Sequence, residues 1–219
     1  LNPQNIYIVT ESVFSMDGDQ SDIKKLVKIA ERFKAYLILD EAHALGVCGQ
    51  DFQGLSYDCS DQLFARILTC GKSLGSHGAF VLGSADLKSY LVNFCKPFIY
   101  TTASSPHQVA SVLSALNYFE SQDDEKLQLQ KNIKYFREQL QAFGLENHFI
   151  KSHSAIQSFK ISGNTEAKTM AKKLQDMGFG VKAILHPTVP KGQERIRICL
   201  HSFNTEHEIS DLLKSLYQL

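Results

Sequence analysis

The chain has 219 residues, enough for one large or two small domains, and 43% of them are hydrophobic, as is usual for a globular protein. Lys plus Arg and Asp plus Glu each number 23, so the charge excess typical of nucleic-acid or anionic-membrane binding is absent from the sequence. No apolar run approaches the roughly 20 residues that span a bilayer. Five scattered cysteines without C-x-x-C spacing predict a reduced, cytoplasmic chain with neither a disulfide framework nor a metal site.

The first predicted elements form a strand, a loop and a helix. Ile6 to Thr10 is a buried-type strand, and the turn-rich stretch Met16 to Asp19 is a loop. Apolar residues between Ile23 and Phe33 recur at helical spacing, and Ser21 or Asp22 can cap the helix. The pattern predicts the crossover helix of a βαβ unit with its apolar stripe in the core.

A second strand leads directly to charged side chains. Tyr36 to Leu39 is a short apolar run typical of a buried parallel strand. Asp40 follows it at once, and an acid at the carboxyl end of such a strand lies at the ligand-binding edge of an α/β sheet. His43 comes three residues later. From the residues alone, His43 is equally consistent with a structural histidine and with a ligand-contacting one.

A lysine lies in the glycine-rich loop between the next two predicted strands, Phe64 to Leu68 and Ala79 to Gly83. Glycines let the backbone approach a ligand closely, and desolvation in such a loop would lower the pKa of Lys72 and make it a usable nucleophile. The alternative is an ordinary solvated lysine. Lys72 is flanked by hydroxyl side chains that can hydrogen-bond a phosphate: Thr69, Ser73 and Ser76.

Taken together, these two loops suggest a cofactor. A lysine, an aspartate, a histidine and a phosphate cradle are what pyridoxal 5'-phosphate (PLP) requires. Lys72 would bind it as an imine, and Asp40 would keep its pyridine nitrogen protonated. The two residues follow strands that can be neighbours, so both can face one crevice.

The remaining elements suggest a second, smaller unit, with the division between residues 1–120 and 121–219. Helices are predicted over Ala85 to Cys95, Pro106 to Ser121 and Glu125 to Phe143, the last ending at Gly144. A β-α-β-β-α pattern follows, typical of an α+β domain. Its strands are Ala155 to Ile161, Val181 to Leu185 and Arg195 to Leu200, and its helices are Glu166 to Met177 and Glu206 to Leu216.

The last motif joins two strands of that unit. Pro187 and Pro190 stiffen the loop, and Arg197 alternates with Ile196 and Ile198 on a strand. A guanidinium is a planar fork that suits a carboxylate, although a surface ion pair is the common alternative. Arg195 is expected to be structural.

Four strings of the sequence, TESVFSMDGD, LDEAHALG, TCGKSLGSHGA and HPTVPKGQERIRICL, resemble the α-oxoamine synthases. The resemblance runs from about Ile6 to the C-terminus. It implies an α/β fold-type I PLP-dependent transferase, and this chain would be its C-terminal portion. That portion holds part of the large, mainly parallel-sheet domain and a small α+β domain. The alternative is a complete small α/β protein.

The resemblance also implies residue roles. Lys72 matches the Schiff-base lysine, Asp40 the partner of the pyridine nitrogen, and His43 the hydrogen-bond partner of the cofactor's phenolic oxygen. Cofactor contacts are implied for Ser15 and Thr69, for which turn or cap roles are the alternative. The hydroxyl-rich turn with Thr101 and Thr102 would reach the phosphate of the other subunit, which implies a homodimer with the site at its interface. A polar helix-entry loop is the alternative there. Substrate contacts are implied for Arg197, with the amino acid's carboxylate, and for Thr188.

The implied reaction is the decarboxylative condensation of an amino acid with an acyl thioester. The likeness is greatest to the biotin-pathway branch, which predicts L-alanine and pimeloyl-coenzyme A or its carrier-protein form. One rival is a glycine-using relative such as 2-amino-3-ketobutyrate ligase, whose Thr-His-Glu stretch is replaced here by Gln53 to Ser56. Another is a non-catalytic partner subunit, although such partners typically lack the lysine that is present here as Lys72.

Overall fold

The computed structural model describes residues 5–219; residues 1–4, at the start of the first predicted domain, lie outside the described part. The described chain forms two compact units. The first contains the residues up to Val13 together with Ser21–Asp123, and the second contains Phe14–Gln20 and Asp124–Leu219. The division after Asp123 falls close to the predicted one, but a seven-residue segment from the first part of the sequence belongs to the second unit. The identity of these units as the large and small domains of the family stays a prediction.

The first unit contains a four-stranded sheet of order β1-β2-β3-β4. Its strands are β1 Tyr7–Glu11, β2 Tyr36–Asp40, β3 Ala65–Thr69 and β4 Ala79–Gly83. The first three strands pair in parallel, and β4 returns antiparallel to β3. All four predicted strands are therefore confirmed, with boundaries shifted by about one residue.

Helix α1, Ile23–Phe33, crosses between β1 and β2 as predicted. Of the two candidate caps, Asp22 is the one used, since its side chain accepts the amide of Lys25 at 3.0 Å. The buried face of α1 packs on Leu37 and Leu39 of β2, and Leu39 is fully buried. Each such buried side chain contributes roughly 1.5–3 kcal/mol. This core keeps β2 and the residues that follow it in place.

Three more helices follow β4: α2 Ala85–Phe94, α3 Lys96–Ile99 and α4 Pro106–Ser121. Serine caps begin the longer two, because Ser84 accepts the amide of Leu87 and Ser105 accepts that of Gln108. The sequence pattern missed the single-turn helix α3. The sequence pattern also did not decide the structure of the crossover before β3. This crossover contains two 3₁₀ helices, Gln50–Phe52 and Tyr57–Gln62.

The second unit has the predicted β-α-β-β-α pattern after its long first helix. Its elements are α5 Asp123–Ala142, β5 Ile156–Lys160, α6 Asn164–Asp176, β6 Lys182–Ile184, β7 Arg195–Cys199 and α7 Glu206–Gln218. The three strands form an antiparallel sheet of order β5-β7-β6. The helix α5 ends at a left-handed glycine, Gly144, as predicted. Across residues 5–219 no helix combines the length and the apolarity that crossing a membrane demands.

The carboxylate of Glu194 links the loop before β7 to the start of α6. The amides of Gly163 and Gly192 donate to Oε2 of Glu194 at 2.9 and 3.0 Å, and these hydrogen bonds hold the pKa of that carboxyl below its ordinary value. The stabilisation is therefore full above the ordinary pKa and is lost as the pH falls through the lower folded-state pKa. We expect Glu194→Gln to lower the urea midpoint at pH 7, and the difference from wild type to shrink as the pH is lowered below about 4.5. A difference that does not change with pH would contradict this assignment.

Candidate active site

The parallel strands of the first unit end at one edge of the sheet. Glu11 of β1 pairs with Asp40, and Asp40 pairs with Ile67, two residues before the end of β3. Asp40 and the loop that follows β3 therefore lie at the same carboxyl edge, where α/β proteins bind ligands. The prediction that Asp40 and Lys72 follow neighbouring strand ends is confirmed.

The turn after β2 fixes the position of Asp40 and His43. The amide of Ala42 donates to Oδ1 of Asp40 at 2.8 Å, which holds the carboxylate plane. The amides of Ala44 and Leu45 both donate to the carbonyl oxygen of Glu41, at 2.9 and 3.1 Å. Asp40 and His43 are half-buried on this tight turn, so neither is an ordinary solvated side chain.

The lysine loop is held by its ends. The amide of Ser76 donates to the carbonyl of Cys70 at 2.8 Å, and Cys70 and Leu74 are buried on either side of Lys72. Burial raises the pKa of the Cys70 thiol, so this cysteine stays protonated at neutral pH and acts as an apolar anchor. Lys72 itself is exposed. The described chain alone therefore does not desolvate this lysine, and its desolvation stays a prediction.

The two loops contact each other. Gly46 has φ +78°, and a Cβ at this position would lie 2.5 Å from the Cβ of Ser73. Leu45, next to Gly46, shares a hydrophobic cluster with Cys70 and Leu74. The structure thus brings the His43 turn and the Lys72 loop together. The sequence reasoning did not single out Gly46, although a glycine three residues after His43 was a visible signal for close backbone approach.

Two buried hydroxyl groups at this edge lack a hydrogen-bond partner among the described residues. They are Oγ1 of Thr69, at the end of β3, and Oγ of Ser12, just beyond β1. Buried hydroxyls in native proteins are almost always paired, so an unpaired one indicates a missing partner. Thr69 was predicted as a phosphate contact. Ser12 was missed, because a serine after a strand gives no pattern that distinguishes it from a turn residue.

A buried ion pair stabilises the turn that follows β2. Arg66 on β3 pairs with Glu41 through its Nε atom and donates from Nη2 to the carbonyl of Gln53. Ser56 donates to the same carboxylate from its amide at 3.0 Å and from its hydroxyl at 2.7 Å. Glu41 is fully buried and Arg66 is 5% exposed. Since Glu41 directly follows Asp40, this network fixes the backbone that carries Asp40.

Thr101 and Thr102 lie between α3 and α4, and both side chains are exposed. The predicted role of these hydroxyls, at the phosphate of another subunit, stays a prediction. The residues 5–219 contain no group of three or more His, Cys, Asp or Glu side chains arranged to hold a metal ion.

The other three predicted residues belong to the second unit. Ser15 lies half-buried on the segment Phe14–Gln20, and Thr188 is exposed on the loop before β7. Arg197 is half-buried on β7, and its Nε atom is buried without a partner among residues 5–219. The predicted site residues therefore fall into two groups, one in each unit.

Similarity to known proteins decides the family. A family model described as aminotransferase class I and II matches residues 1–216. The chain belongs to this family. Among curated proteins, 8-amino-7-oxononanoate synthase of Emericella nidulans is 37% identical and aligns with 97% of this chain and 54% of its own length. A putative 8-amino-7-oxononanoate synthase of Nostoc is 38% identical over 100% of this chain and 56% of its own.

Solved structures confirm the fold. The 8-amino-7-oxononanoate synthase of Francisella tularensis has a TM-score of 0.85 and 31% identity, over 100% of this chain and 64% of that one. A high-resolution structure of SPT with the PLP internal aldimine has a TM-score of 0.88 and 25% identity, over 97% of this chain and 54% of that one. The predicted fold-type I architecture and the resemblance on which it rested are thus confirmed. The chain spans about half the length of the curated relatives that it matches.

Proposed function

We propose that this chain carries the PLP-binding part of an enzyme that condenses L-alanine with a pimeloyl thioester, on coenzyme A or a carrier protein. The products would be 8-amino-7-oxononanoate, carbon dioxide and the free thiol, in biotin biosynthesis. The observation that supports this most is the pairing of the Asp40–His43 turn with the Lys72 loop at one sheet edge. The names of the curated relatives point to the same product.

The side chains at this edge fit PLP. Lys72 offers an exposed amine, Asp40 a fixed carboxylate, and Thr69 a buried hydroxyl that lacks an acceptor. When bound, PLP would supply a covalent attachment point and an electron sink for a carbanion. Lys72 Nζ would hold the cofactor and move the α-proton of the amino acid. The Asp40 carboxylate would keep the pyridine nitrogen protonated.

The other cofactor contacts follow from the same proposal. His43 would donate to the phenolic oxygen, and Thr69 would donate to the phosphate. Ser15 would complete the cofactor contacts from its own segment. Thr101 and Thr102, whose exposed hydroxyls are open to a second chain, would bind the phosphate in the partner subunit of a homodimer. A cytoplasmic location belongs to the same proposal.

Arg197 is proposed to bind the carboxylate of the amino acid substrate. Its buried Nε is an unpaired donor in the described chain, and a guanidinium pairs well with a planar carboxylate. Thr188, exposed on the loop before β7, would contact the substrate beside it.

The test uses the purified full-length gene product. The protein is incubated with PLP, reduced with borohydride and analysed by intact mass and peptide mapping; the expected result is a cofactor-sized adduct on Lys72. Substrate choice is measured on a separate sample of the PLP-loaded protein that has not been reduced, with pimeloyl-coenzyme A and L-alanine, glycine or L-serine. Turnover with L-alanine supports the proposal, and turnover with glycine alone would favour the glycine-using relative. An enzyme with no adduct would contradict the cofactor assignment.

A further inference from the structure

One face of the sheet in the second unit carries polar side chains of β7 and β5. Arg195 and Arg197 are two residues apart on β7 and so project from the same side of the sheet. Ser158 of β5 lies directly opposite Arg197 in the antiparallel register, which places its side chain on that same side. The alternate residues Ile196 and Phe159 are buried on the other side, in the core.

Three consecutive residues of the segment Phe14–Gln20 are bonded to other residues of the second unit. Ser158 Oγ donates to the carbonyl of Met16 at 2.8 Å, Arg195 forms an ion pair with Asp17, and Ser152 Oγ donates to the carbonyl of Gly18 at 2.9 Å. The segment also turns on itself, because the amide of Gly18 donates to the carbonyl of Phe14 at 2.8 Å.

Gly18 permits this close approach. It has φ +73°, and a Cβ there would collide with the carbonyl oxygen of Ile156 on β5. A side chain at position 18 would therefore lift the segment off the sheet. The three bonds and the glycine together form what we call the β7 clamp: Asp17, Gly18, Ser152, Ser158 and Arg195.

The clamp distinguishes the two arginines of β7. Arg195 is nearly buried and donates to Asp17 and, from Nε and Nη2, to the carbonyl of Gln193 at 3.0 and 2.7 Å. The guanidinium of Arg195 is thus hydrogen-bonded within the protein. Arg197 has a buried, unpaired Nε and lies across from Ser158, whose hydroxyl holds the residue after Ser15. The same few bonds therefore set Ser15 relative to Arg197.

We propose that Asp17, Arg195 and Ser158 are positioning residues that hold Ser15 beside Arg197 and thereby set the enzyme's affinity for the amino acid substrate. The inference rests on the proposed function, since it takes Arg197 as the carboxylate ligand. None of the three residues is assigned a contact with the reacting atoms. Their loss should raise the KM for L-alanine more than it lowers kcat, because the segment they hold packs on the face of the sheet that carries Arg197, whereas Lys72 keeps its position.

The experiment compares Asp17→Asn and Ser158→Ala with a matched control in the full-length enzyme. Asn132→Ala serves as the control, because Asn132 is buried in the same unit and holds the carbonyls of His201 and Asn204, each at 2.8 Å. Two quantities are measured: hydrogen exchange of peptides covering residues 14–20 without added PLP, and the steady-state KM and kcat for L-alanine.

We expect Asp17→Asn to speed exchange in residues 14–20 and to raise the KM for L-alanine about tenfold, with kcat changed less than about twofold. Ser158→Ala should act in the same direction, and Asn132→Ala should lower the melting temperature without either effect. An unchanged KM in an active Asp17→Asn enzyme, or an equal rise in KM for Asn132→Ala, would overturn the clamp's role alone. A wild-type enzyme without turnover would count instead against the proposed function.

Discussion

Lys72→Ala is expected to remove the borohydride-stable PLP adduct and to lower turnover by roughly 10⁴-fold or more, because one change removes both the covalent attachment and the proton-transferring amine. The loop itself should survive, since Lys72 is exposed and the loop is anchored by buried Cys70 and Leu74. The free energy of unfolding should therefore stay within about 0.5 kcal/mol of wild type. Intact mass after reduction, steady-state kinetics and a urea titration measure the three effects.

Lys88→Ala is the matched control for this experiment. Lys88 is an exposed lysine on α2 of the same unit, so its removal tests whether PLP modifies surface amines without selectivity. The adduct should remain on Lys72 in that variant. Full activity of the Lys72→Ala enzyme, or an adduct of equal yield on another lysine, would refute the role assigned to Lys72.

The parts of the site that depend on local sequence were predictable. Strands that end in Asp40 and Thr69 are recognisable from short apolar runs, and parallel pairing then places both ends at one edge. The lysine loop was recognisable from its glycines and hydroxyls. The environment of Lys72 is harder to predict, because the exposure of a side chain depends on neighbours that a sequence pattern does not specify.

Contacts between distant residues were not predictable. Asp17 and Arg195 are 178 residues apart in the chain, and no periodicity links a turn residue to a strand arginine at that separation. The membership of Phe14–Gln20 in the second unit follows from such contacts. Ser12 illustrates the same limit, since only three-dimensional packing reveals that its hydroxyl is buried and unpaired.

The second large effect concerns the buried pair Glu41–Arg66. Neither side chain was singled out from sequence, because they are 25 residues apart and each reads as an ordinary charged residue. In the fold, the Glu41 carboxylate is fully buried and is compensated by Arg66 and by two hydrogen bonds from Ser56. A buried charge that loses its partner retains its desolvation cost without the compensating attraction.

Arg66→Met should therefore lower the free energy of unfolding by about 3–5 kcal/mol, measured by urea denaturation at pH 7. The double variant Glu41→Leu/Arg66→Met removes both charges, so it should recover much of that loss despite giving up the hydrogen bonds of Ser56. The exposed pair Lys172–Asp176 on α6 provides the contrast, because Lys172→Met should cost no more than about 1 kcal/mol. If Arg66→Met cost as little as Lys172→Met, the network would not be what stabilises the turn that carries Asp40. If the double variant were less stable than Arg66→Met, the cost would come from lost packing and hydrogen bonds and not from an isolated charge.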